Sequence, residues 1–169
     1  MTTKQAREPE IDRLGREAFI NLFLASSRFT DQVEAICKAE AITMSHYTVL
    51  WVVCLSDAGD GVPMRSIADG LLTRASDATR LVDRLTKEGF TVRQNSEADR
   101  RVVLVRPTRK GRALFQRITR TVKTLHREQW SALSLAELRE LRRLLVKALW
   151  GDADVQDRHP LEVSPPVIR

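Results

Sequence analysis

Apolar residues return every three or four positions through most of this chain, the period of a helix with one buried face. Residues 10–38 read as one long helix. Ile11, Leu14, Phe19, Phe23, Val33 and Ile36 form its apolar side, with Arg13, Arg16, Asp31 and Glu34 between them. Thr43 is placed to cap a second helix over 44–57, and the density of Val49, Leu50, Val52, Val53 and Leu55 predicts that it is buried. The run Asp57-Ala58-Gly59-Asp60-Gly61 breaks the chain. Pro63 suits the first turn of a short third helix over 63–71, turning Ile67, Ala68 and Leu71 inward.

A turn at 72–74 leads into a fourth helix over 74–88, with Thr73 as its cap and Gly89 as its stop. Here the period shortens. Phe90-Thr91-Val92-Arg93 and Val102-Val103-Leu104-Val105 are β-prone runs around the polar tip Asn95-Ser96-Glu97-Ala98-Asp99, which predicts a hairpin. Thr108 opens a helix to about 129. Ser134 and Glu137 make a capping box for a last helix over 135–149, with Leu138, Leu141, Leu145 and Ala148 on one stripe. From Gly151 onward three prolines and the lack of any period predict a mobile tail. The expected class is mainly α with a small β-hairpin. Its segments are helix 1–42, a helix-and-hairpin unit 43–107, paired helices 108–150 and the tail 151–169.

Charge sharpens this picture. Residues 74–112 hold 11 Lys and Arg against 5 Asp and Glu, while the other 130 residues hold 17 of each sign. The whole surplus of +6 therefore sits on the fourth helix and the hairpin. Charge confined in this way is an electrostatic footprint for a polyanion, and double-stranded DNA is the natural partner. A solvated basic face is the plainer alternative. At 169 residues with 43% hydrophobic content, the chain suits one compact domain or two lobes sharing a core. It has no stretch long enough to span a bilayer and no apolar signal core at its start, so a cytoplasmic protein is expected. Two cysteines, Cys37 and Cys54, are too few for a disulfide framework.

Helix, tight turn, helix and hairpin is the order of a winged helix-turn-helix. On the fourth helix Ala75, Ala78, Leu81, Val82 and Leu85 share one face, while Ser76, Arg80, Asp83, Arg84 and Lys87 share the opposite one. A helix with one buried side and Ser, Thr and Arg on the other fits a major groove, where Arg can pair with guanine in bidentate fashion. Ser76, Thr79 and Arg80 are the candidates for base reading, and Arg74, Arg84 and Lys87 for phosphate contacts. Arg100 and Arg101 are expected to project from the hairpin's returning limb toward a minor groove, with Asp99 orienting one guanidinium. The plainer readings are an amphipathic surface helix and a charged turn.

From Ile42 to about Phe115 the sequence resembles the MarR family of bacterial transcription regulators. The resemblance rests on Ile42-Thr43 through Leu50, the run from Arg74 to Leu85, Glu88-Gly89-Phe90, Asp99-Arg100-Arg101, and Thr108 with Lys110-Gly111. It implies a homodimer with intertwined terminal helices. Each subunit would present a winged helix to half of a pseudo-palindromic operator, often as a repressor that a small ligand or oxidant releases. Three positions depart from the family: His46 replaces Gln near the start of the second helix, Pro107 replaces Leu before Thr108, and neither cysteine stands where the peroxide-sensing branch keeps its reactive one.

The long helices outside 43–107 carry apolar stripes that need burial, which argues independently for a dimer. The alternative is that both ends fold back on their own subunit. For an effector, the family implies a phenolic or aromatic acid between the dimerisation helices and the winged lobe. Arg13, Arg16, Arg28, His46, Tyr47 and Trp51 are the candidate contacts, each with a plainer role as helix charge or core. No metal or cofactor is expected: His46, His126 and His159 lack ligand spacing, and no phosphate loop, HExxH or nucleophile–base set marks an enzyme. The competing function is a winged-helix architectural or protein-interaction module that binds DNA non-specifically and takes no ligand.

Overall fold

The computed structural model describes residues 9–71 and 78–151. The chain order is α1 (Glu10–Ala39), α2 (Met44–Ser56), β1 (Val62–Pro63), α3 (Met64–Gly70), α4 (Ala78–Lys87), β2 (Thr91–Asn95), β3 (Val103–Pro107), α5 (Arg109–Gln129) and α6 (Leu135–Trp150). The expected turn at 72–74, the Thr73 cap, the first turn of the fourth helix and the tail beyond Gly151 lie outside the described residues.

α2 is the centre of the core. Val49, Leu50 and Val53 are fully enclosed, and Cys37 of α1, Ile67 of α3, Val82 and Leu85 of α4, Val105 of β3, and Leu114 and Ile118 of α5 close around them. Thr43 caps α2 as expected, and His46 completes the box by accepting from the Thr43 backbone amide. Glu34 of α1 accepts from the Met44 amide at 2.7 Å, so the end of α1 and the start of α2 are fixed to each other.

The wing differs from a plain hairpin. β3 is the middle strand of a three-stranded antiparallel sheet ordered β1-β3-β2. Val62 pairs with Val105 and Pro63 with Leu104, while β2 and β3 pair from Thr91–Pro107 to Asn95–Val103. Pro63 is therefore an edge-strand residue just before α3, not part of its first turn. The edge tolerates it because the missing N–H faces away from the ladder. Asp57 pins the segment ahead of β1: its buried carboxylate accepts from the Gly59 and Gly61 amides at 3.0 Å each and pairs with Arg112 of α5 at 2.6 Å.

The first half of α1 and part of α6 carry apolar side chains that no described residue covers. Ile11, Phe19, Phe23 and Leu24 on the first half of α1 are 75%, 69%, 64% and 59% exposed, and no described side chain of α6 is buried. Among the described residues, Val33 and Cys37 in the second half of α1 are buried, and Leu138, Leu141 and Leu145 of α6 are half-buried.

Candidate nucleic-acid interface

α4 has the two faces expected of it. Ala78, Val82 and Leu85 are buried, and Thr79, Arg80, Asp83, Arg84 and Lys87 are exposed. The helix ends at Gly89, whose positive φ of 76° lets the Phe90 amide reach the Leu85 carbonyl at 2.8 Å. Arg80 and Lys87 have no ion pair among the described residues, while Arg84 holds Glu88 one turn on at 2.9 Å. Such an exposed pair is worth little and opens easily when a phosphate competes. Arg74 and Ser76 lie outside the described residues.

The wing is bolted to this helix by a residue the sequence reading passed over. Arg93 of β2 pairs with Asp83 and donates to the Thr79 carbonyl at 3.1 Å. The Thr86 and Thr91 hydroxyls add a bond of 2.9 Å. Asp83, an apparent blemish on a basic face, is thus a strut between helix and wing. Alternation along β2 is the one signal that could have singled out Arg93, because the partner is set by tertiary packing.

At the tip, Arg100 and Arg101 are exposed and sit in the turn before β3 rather than on the strand. Among the described residues Asp99 makes no ion pair with either guanidinium. It accepts the Arg101 backbone amide at 2.9 Å, and its own carbonyl accepts from Val102 at 2.9 Å. Asp99 therefore orients Arg101 through the backbone, as turn-forming Asp residues do.

The six candidate effector contacts do not converge. Arg13, paired with Glu17, and Arg16 lie on the first half of α1. Arg13 is roughly 30 Å along that helix from Glu34, where α1 meets α2. Arg28 lines a separate cavity of about 380 Å³ with Phe29, Gln32, Leu125, Glu128 and Gln129. His46 is buried in the capping box, a local hydrogen-bonding role, and desolvation followed by the nearby Arg84 lowers its pKa. Tyr47 is buried with its hydroxyl 3.1 Å from that of Thr119. Trp51 joins Tyr47 and Phe115 in an aromatic triad with ring centroids 5.8–6.4 Å apart.

The cysteines are equally quiet. Burial pushes the Cys37 thiol up to about 11 and the Cys54 thiol up to about 12, so neither offers a reactive thiolate. Among the described residues no three His, Cys, Asp or Glu side chains converge on a metal-sized site.

Residues 42–103 match the profile of the MarR family. The HTH-type transcriptional repressor IacR of Pseudomonas putida is 26% identical over 140 residues, which cover 82% of each chain. The transcriptional repressor MprA of Escherichia coli is 25% identical over 123 residues, 73% of this chain and 69% of its own. In fold, a mutant of E. coli MarR complexed with operator DNA superposes with a TM-score of 0.69 at 22% identity, over 84% of this chain and 99% of that one. CouR of Rhodococcus jostii, bound to p-coumaroyl-CoA, gives 0.70 at 23% identity over 81% and 94%.

Proposed function

We propose that this chain, whose residues 42–103 match the MarR family profile and which is similar to the repressor IacR over 82% of its length, is a MarR-type homodimeric repressor whose two winged lobes read the halves of a pseudo-palindromic operator in the bacterial cytoplasm. The observation that carries the proposal is α4 itself. Its apolar side is locked into the core, and Thr79, Arg80, Arg84 and Lys87 are exposed beside a wing tied to it through Arg93, with Arg84 held only by its surface pair with Glu88. Thr79 and Arg80, with Ser76, read base edges in the major groove; Arg74, Arg84 and Lys87 hold phosphates; Arg100 and Arg101 enter the minor groove.

Segments 1–42 and 108–150 dimerise and 43–107 binds DNA. The uncovered apolar residues of α1 and α6 support this division, since surface of that extent on a monomer calls for a partner. Twofold symmetry sets the recognition helices about 34 Å apart, one turn of DNA. A small effector, a phenolic or aromatic acid, releases the operator by favouring a dimer with different helix spacing, and only its unequal affinity for the two forms drives the shift. The described helices include none long and apolar enough to cross a membrane.

Reversing charge at the wing tests the proposal. Arg101→Glu abolishes operator binding in a mobility-shift titration and leaves the dimer intact by sedimentation. Unchanged affinity would remove the wing from the interface.

A further inference from the structure

Three neighbouring elements hold the loop between α2 and β1. The Asp57 side chain, 1% exposed, stands at its head. One carboxylate oxygen accepts the Gly59 and Gly61 amides at 3.0 Å each, and the other accepts from Arg112 of α5 at 2.6 Å. Gln94 of β2 donates to the Asp60 carbonyl at 3.3 Å. Gly61, at a φ of 94°, passes so close over β3 that a Cβ would stand 2.9 Å from Cγ of Arg106 and 3.1 Å from Cβ of Leu104. Burial alone would raise the Asp57 pKa, but the two amides, Arg112 and Arg106 outweigh it and hold the carboxyl below its usual range.

This loop is where the base of the wing meets α5. It leads into β1, the edge strand paired to β3, and then into α3, the helix before α4. Just ahead of Arg112, Lys110 lies 4.4 Å from the centre of the Phe90 ring and donates to the Glu88 carbonyl at 2.8 Å. The Thr108 hydroxyl donates to the Gly89 carbonyl at 2.7 Å. The start of α5 thus holds the end of α4 through Lys110 and Thr108, and the base of the wing through Arg112. An ion pair supplies what apolar packing does not, a fixed direction: two amides and one guanidinium meet a carboxylate in few arrangements.

We propose, resting on the reading of the protein as a dimeric, sequence-specific regulator, that Asp57 acts through Arg112 as a positioning residue for operator reading. The pair locks the wing and α3 to α5, so each lobe of the dimer presents helix and wing at one fixed angle. Neither side chain has to touch DNA. A wing free to swing would lose that freedom on binding, which lowers affinity for the operator. Binding by charge alone asks for no such alignment and is indifferent to the tie.

Affinities of full-length variants for the inverted repeat recovered by duplex selection, and for a random duplex of equal length, test it. Asp57→Asn keeps an acceptor for the loop amides and removes the charge that holds Arg112. It binds the selected repeat about tenfold more weakly, with the random duplex unchanged and the dimer intact by sedimentation. Arg112→Ala does the same from the other side, the two changes together are no worse than either, and Arg112→Lys stays close to the wild type. Hydrogen exchange of the free protein adds a readout independent of DNA: both single variants speed exchange over 57–63 and 103–107 and leave 44–56 unchanged. Wild-type affinity in Asp57→Asn, additive losses in the double variant, or equal losses on both duplexes would overturn the inference. Faster exchange throughout the lobe would mark a merely structural pair and would overturn it too. So would tighter binding by Asp57→Asn with a loss by Arg112→Ala, which would make Arg112 a phosphate contact that Asp57 restrains. Selection that enriches no sequence would sink the regulator reading itself, and the positioning role with it.

Discussion

Gly111 shows how much a single position can depend on its neighbours. A Cβ there would stand 2.0 Å from the Phe90 carbonyl oxygen, because the start of α5 lies against the turn between α4 and β2. The Thr108 amide and hydroxyl both bond that carbonyl, at 3.0 and 3.2 Å, so it has no room to retreat. Gly111→Ala should therefore cost about 2 kcal/mol in urea unfolding, and a loss near zero would show that the turn yields. His46 makes a second prediction, with a definite sign. Burial and Arg84 outweigh Glu88 and Glu34 and hold its pKa below the ordinary 6.5. The unfolded chain thus takes up the proton first, and the stabilisation by the neutral ring, complete above 6.5, is lost as pH falls through the folded-state pKa. His46→Gln can still cap α2, so its urea midpoint should fall less than the wild type's between about pH 7.5 and 5. Equal falls would place the sensitivity elsewhere.

At the scale of elements, the helices were legible because their signals are local. Thr43, Thr108 and Ser134 each cap the helix they were expected to cap, and Gly89 ends α4. The two faces of α4 followed from periodicity alone. What sequence could not show was made by contacts distant along the chain. β1 exists only because Val62 and Pro63 meet β3, and Arg93 matters only because β2 crosses Asp83. The six effector candidates are divided by the fold, with Tyr47 and Trp51 in contact and Arg13 and Arg16 far along α1, because helical spacing orders residues along an axis but does not say which stretch of α1 meets α2. Arg80 carries the prediction here. Arg80→Ala should reduce discrimination between operators by about 1–3 kcal/mol, measured as the ratio of affinities for the preferred site and a base-changed one. Equal losses on every sequence would make it a phosphate contact.

For the whole molecule, the DNA-reading surface and the uncovered apolar ends belong to one design. A basic face on one lobe binds DNA by charge; two such faces at a fixed separation bind a particular sequence. The exposed Phe19, Phe23, Leu135 and Leu149 are the residues that would set that separation across a twofold axis. The most direct measurement is selection from randomised duplexes at near-physiological salt, with sequencing of the retained pool. The account predicts an enriched inverted repeat whose half-sites lie about one helical turn apart. Retention without enrichment, or a lone half-site, would contradict it and leave a basic winged helix that holds DNA by charge.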